Sequence, residues 1–255
     1  MQDSFERVDA SLISIIFAIA MLASWFLGWR RGRRFPSLPG DDPDAKFIDA
    51  SVVLLGLLLA FTFSMALQGH DQRRSAVVAE SNAISDFYTC ATLLNEPRRS
   101  ELQVLIGDYA RQLVKLPFEE LTTQQEKEEN QRCLRAYSQM TAIVDKADAD
   151  GTPIALALVN TLNNVASTNA LRAAAYHIRT PWSIAVLLFV AAVVPAFLIG
   201  EKQGARGKIH LSGSLSFVVI VTAVIFVTLD LDQPHRGMIK VSRESLERVV
   251  HSMDR

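Results

Sequence analysis

Few side chains in this sequence are spaced for chemistry. The five histidines, His70, His177, His210, His235 and His251, show no metal-ligand spacing. Cys90 and Cys133 lie 43 positions apart, so there is no CxxC redox or zinc pair. No HExxH, GxSxG, Walker loop or GxGxxG occurs, and an enzyme is not expected. Two constellations remain. Asp230 and Asp232 fall in LDLDQPHRG, where Pro234 and Gly237 force a turn. Two carboxylates two apart on a bent segment can hold a cation or an Arg from a neighbouring subunit. They can equally mark the end of a helix, with Arg236 as local partner. No other cofactor is implied, and the identity of any metal is left open. Asn160, Asn163 and Asn164 are three and four apart and share a helix face. Such an uncharged polar stripe either lines a water-filled cavity, bridges subunits, or is simply a solvated face.

The elements that must position these residues are hydrophobic. The chain has 255 residues, 49% hydrophobic and 21% charged. Four runs carry no Asp, Glu, Lys, Arg or His: Ser11–Trp29, Ala50–Leu67, Trp182–Gly200 and Leu211–Leu229. About 20 helical residues cross the ~30 Å hydrocarbon core of a bilayer. Backbone in lipid must satisfy its own hydrogen bonds, so each run is predicted to be a transmembrane helix. The leader MQDSFERVD is acidic, while Arg30, Arg31, Arg33 and Arg34 follow the first run, so that run reads as a retained helix rather than a cleaved signal. Trp25 and Trp29 suit the membrane interface. Pro195 interrupts the hydrogen bonding of the third run, and Ala191, Ala192 and Ala196 there favour close helix packing. The net charge of −1 gives no reason to expect nucleic-acid binding.

Between the second and third runs lies a long polar insertion that reads as helical throughout. The expected organisation is a first transmembrane pair (1–67), a helical soluble domain (68–181), a second transmembrane pair (182–229) and a C-terminal tail (230–255). The second run continues into HDQRRSAVVAESNAISDFYTCATLL. Asn95 is placed to cap the next helix, with Pro97 in its first turn. Leu102, Leu105, Ile106, Tyr109, Leu113 and Val114 then recur at helical spacing. Pro117 interrupts, Thr122 opens a charged helix, and Gly151-Thr152-Pro153 is a turn before a last helix that returns to Pro181. The fold class is all-α.

Sidedness is ambiguous from charge. Arg30, Arg31, Arg33, Arg34 and Lys46 in one short loop, and Lys202, Arg206 and Lys208 in the other, place both loops in the cytoplasm and the insertion on the periplasmic side. There Cys90 and Cys133 could pair. The tail, with Arg236, Lys240, Arg243 and Arg248, argues the opposite. No ionisable side chain lies within a run, which argues against a proton-coupled transporter and for a passive pore or a non-transporting assembly.

The layout of two membrane helices, a long helical segment and two more membrane helices resembles that of bestrophins, and most nearly the bacterial membrane proteins called bestrophin-like. GLLLAFTFSMALQGHDQRR resembles the bestrophin stretch in which an apolar pore helix reaches a Phe step and runs into a polar segment closing with Arg. LDLDQPHRGMIKVSRESLERV resembles the acidic-Pro-x-Gly segment after the last bestrophin helix. The resemblance implies a homo-oligomer, a pentamer, in a bacterial inner membrane, with lipid and monovalent ions as its partners. Matching at the Phe step assigns the pore neck to Val53, Leu57 and Phe61. These residues share one helical face, and a ring of them can gate by dewetting. The resemblance also implies a cytoplasmic insertion, against the loop charges. The other reading kept open is a non-conducting scaffold or sensor whose helical insertion binds a partner or ligand.

Overall fold

The computed structural model describes residues 9–34, 44–115, 123–178, 181–207, 210–233 and 238–254. The leader residues 1–8, Pro117, Thr122, Lys208 and the Pro234–Gly237 turn lie outside the described residues. Within them the chain is all-helical. The elements are α1 (Ala10–Arg34), α2 (Asp44–Ala91), α3 (Arg98–Lys115), α4 (Thr123–Ala149), α5 (Ala155–His177), α6 (Trp182–Ala205), α7 (Leu211–Asp232) and α8 (Glu244–Met253). Four of them, α1, α2, α6 and α7, contain stretches long and apolar enough to cross a membrane. They coincide with the four uncharged runs.

The chain divides into two compact units. One comprises Met1–Gly69 and Arg179–Ile239, the other His70–Ile178 and Lys240–Arg255. Helix α2 contributes to both.

In the first unit α1 and α6 run parallel and keep a constant register. The Ser24 hydroxyl donates to the Val193 carbonyl at 2.9 Å. Phe17 meets Phe189 edge-on at 5.1 Å between ring centroids. Arg31 pairs with Glu201 at 3.0 Å. Glycine sets the closeness. Gly28 and Gly32 on α1, and Gly200 and Gly204 on α6, form two GxxxG pairs that interlock. A Cβ at Gly28 would lie 2.1 Å from the Phe197 carbonyl oxygen, and one at Gly200 would lie 2.0 Å from that of Trp25. No other residue fits while the two backbones touch. Helix α7 runs back against α1, where the Ala10 N–H donates to the Gln233 side-chain oxygen at 3.3 Å. Phe17, Met21, Leu55, Leu59, Leu188, Ala192, Ala196, Val218, Val221 and Ile225 form the core of this unit. Pro195 is buried within a continuous α6, as are Ala192 and Ala196, while Ala191 is half-buried. Trp29 carries the Arg33 guanidinium over its ring at 4.9 Å.

The second unit has larger side chains inside. Val77, Ile84 and Phe87 of α2 pack with Leu102, Ile106 and Tyr109 of α3, Met140 and Val144 of α4, and Leu158 and Leu162 of α5. The C-terminal residues, read from sequence as a tail, form α8, which buries Leu246 and rests Val249, Val250 and Met253 on this core. At the start of α3 the Asn95 carbonyl accepts the Arg99 N–H. The side-chain acceptor there is the Glu96 carboxylate, which takes the Ser100 N–H at 3.3 Å and its hydroxyl at 2.5 Å. Gly151 turns the chain before α5 with φ of 66°, a backbone region that favours glycine. Cys90 and Cys133 are free thiols rather than a disulfide.

Candidate functional site

Helix α2 has two dissimilar faces along its apolar part. Leu55, Leu59, Thr62 and Ala66 are at most 8% exposed and turn into the core of the first unit. Val53, Leu57 and Phe61 are 71%, 51% and 60% exposed. The three residues assigned to the neck therefore share the side of α2 that the chain's own helices leave uncovered. Spacing explains the split. Positions 55, 59, 62 and 66 follow the helical repeat on one side, and 53, 57 and 61 follow it on another. Gly56, between them, has nothing within 4 Å of where a Cβ would stand.

Asp230, at the end of α7, is 4% exposed. One of its oxygens accepts the Met238 N–H at 2.7 Å and the other accepts the Ile239 N–H at 3.0 Å. These two charge-assisted bonds compensate an acidic group at a helix C-terminus. Asp232 is half-buried and also bonded. Among the described residues no group of three or more His, Cys, Asp or Glu could hold a metal ion.

Asn160, Asn163 and Asn164 are exposed on α5 and, with Thr161 and Ser167, line a shallow open recess. The Tyr137 hydroxyl donates to the Asn163 side-chain oxygen at 3.3 Å, tying α4 to this stripe.

A third polar constellation went unread in the sequence. Glu80 of α2 is fully buried. Its carboxylate meets Arg172 Nε of α5 at 2.5 Å, Asn169 Nδ2 at 2.9 Å and the Tyr109 hydroxyl of α3 at 3.3 Å. Asn169 also donates to the Tyr109 oxygen at 2.9 Å. Burial, and then the Glu80 charge, push the Tyr109 hydroxyl well above its ordinary pKa, so it stays a donor. Arg73, likewise fully buried, lies two turns earlier on the same helix. The signal was available: Glu80 falls on the spacing of Val77, Ile84 and Phe87, so a charge stands on an apolar face. The two GxxxG pairs were equally unread.

Four apolar helices and an uncovered apolar face on one of them define a membrane protein. The bestrophin-like domain family matches residues 13–246, nearly the whole chain. The chain belongs to that family. No curated protein and no solved structure matches it.

Proposed function

We propose that this chain is the subunit of a homo-oligomeric ion channel, with copies of α2 arranged around a central conduit in a bacterial inner membrane. The observation that carries the reading is the exposed line of Val53, Leu57 and Phe61, opposite the buried line of Leu55, Leu59 and Thr62. In a ring of copies, five in the bestrophin layout, the three residues form an apolar constriction that passes monovalent ions when wetted. The unit of His70–Ile178 and Lys240–Arg255, which takes in only the C-terminal part of α2, stands in water in this reading. Each Asp230 oxygen retains a lone pair beside its backbone bond, so a cation shared with Asp232 belongs to this reading as a clasp at the end of α7.

The test is single-channel recording in bilayers. Leu57→Ala widens the constriction, and a higher unitary current than that of the parent is expected. An unchanged current removes Leu57 from the conduit. The scaffold or sensor reading draws on the open recess at Asn160, Asn163 and Asn164, which presents amide groups for a polar partner. It is favoured if the purified assembly conducts no ions in liposomes.

A further inference from the structure

The uncovered line on α2 does not stop at the three apolar residues. Helix α2 is uninterrupted from Asp44 to Ala91. On its 3.6-residue repeat, Lys46 and Asp71 point within about 40° of Leu57. Both are exposed, and neither makes an ion pair with a described residue. Between them on the same line stand Ala50, Val53, Leu57, Phe61, Ser64 and Gln68, all exposed and none charged. The other exposed charges on these turns, Asp49 and Arg74, lie roughly 80° and 100° off the line. Lys46 and Asp71 are 25 residues apart, about 37 Å along the axis, slightly more than the ~30 Å hydrocarbon core. One charge of each sign therefore stands at either end of an apolar constriction.

From this the geometry points to a rectifying conduit: a ring of Lys46 at one mouth and a ring of Asp71 at the other pass current more readily in one direction. The inference rests on the proposed channel and adds a property that an apolar neck alone lacks. Each charged ring concentrates its counterions, anions at Lys46 and cations at Asp71. A voltage that drives cations inward from the Asp71 mouth also drives anions inward from the Lys46 mouth, and the constriction fills with carriers from both ends. The opposite voltage draws both kinds outward and empties it. No moving part is needed. The asymmetry follows from fixed charges alone, so it must weaken as salt screens them.

Single-channel currents at equal and opposite voltages in symmetric KCl test it, since each inserted channel has one orientation. In ~0.1 M KCl, where the Debye length is about 10 Å, the two currents should differ at least about twofold. In ~1 M KCl, where it is about 3 Å, the ratio should approach one. Lys46→Gln and Asp71→Asn should each reduce the ratio, and the double variant should give a straight current–voltage line. Both positions are exposed, and size-exclusion elution of each variant at the parent volume checks assembly. A straight line for the parent in low salt, or an asymmetry that survives in the double variant, overturns the inference and leaves the channel standing. Absence of any current from the parent sinks the channel reading and this one together.

Discussion

In the first unit, four glycines let α1 and α6 touch backbone to backbone, and little lies between them. In the second, Phe87, Ile106, Met140 and Leu158 fill the space between helices, with the buried Glu80 carboxylate paired to a partly exposed Arg172. The difference matches the surroundings proposed for the two units, lipid for the first and water for the second. Lipid chains are as apolar as leucine, so burying leucine between membrane helices gains little; close approach and a few hydrogen bonds such as Ser24 to Val193 must do instead. Where water is the alternative, each large apolar side chain buried contributes about 1.5–3 kcal/mol, and bulk is the better cement.

The contrast can be broken most severely in the second unit. Glu80→Ala strips the partner from a nearly buried Arg172 and should cost about 3–5 kcal/mol. Denaturant unfolding of the purified protein, followed by the fluorescence of a probe on the second unit, measures it. Pairing it with Arg172→Met should recover much of the loss. A single-variant cost under about 1 kcal/mol would mean that water reaches the pair.

In the first unit the damaging change is an addition. Gly28→Ala with Gly200→Ala places methyl groups about 2 Å from carbonyl oxygens across the interface, so α1 and α6 must separate. The expected cost is about 1–3 kcal/mol, read as a lower melting temperature in detergent. Gly56→Ala, with open space around it, should not lower the melting temperature and should raise it slightly, because alanine is the better helix former. If both variants behaved alike, backbone contact would not be what holds the first unit.

A smaller effect is expected at the end of α7. Asp230→Ala leaves the Met238 and Ile239 N–H groups without their acceptor and should cost about 1–3 kcal/mol, toward the lower end because water can replace part of it. Faster hydrogen exchange at those two amides, with the α1–α6 contact unaltered, is the signature.

The least perturbing probe is thiol alkylation. Burial raises the pKa of both Cys90 and Cys133, against a lowering Thr161 hydrogen bond at the first and the Arg172 charge at the second. A raised pKa means less thiolate at mildly alkaline pH, so both should react more slowly than a free thiol and accelerate together on unfolding. Rapid labelling of both in the folded protein would show the second unit to be loosely packed.

The four apolar helices were legible because an uncharged stretch of 18 or 19 residues has few other uses. Which helix takes which partner was not. The GxxxG pairs straddle the ends of the runs: Gly28 lies inside the first run and Gly32 beyond it among arginines, while Gly200 ends the third and Gly204 follows a Glu and a Lys. Reading for the absence of charge cuts both motifs in half. Glu80 was hidden the other way, as one acidic residue in a polar stretch, although its register with Val77 and Ile84 marks it as interior. The use of Asp230 depends on amides eight and nine residues downstream, a pairing that the spacing of the two carboxylates does not announce. The face carrying Val53, Leu57 and Phe61 could be drawn from periodicity, but only the packed structure shows it to be the side the chain leaves bare.

The parallel seam between α1 and α6 also constrains biogenesis. Its two strips are separated by about 170 residues of chain, which a ribosome adding roughly 5–20 residues per second takes some ten to thirty seconds to make. Throughout that interval α1 waits in the bilayer with its glycine groove unfilled, open to any other helix that passes. The order of synthesis thus opens a window in which this groove has no mate of its own chain to fill it.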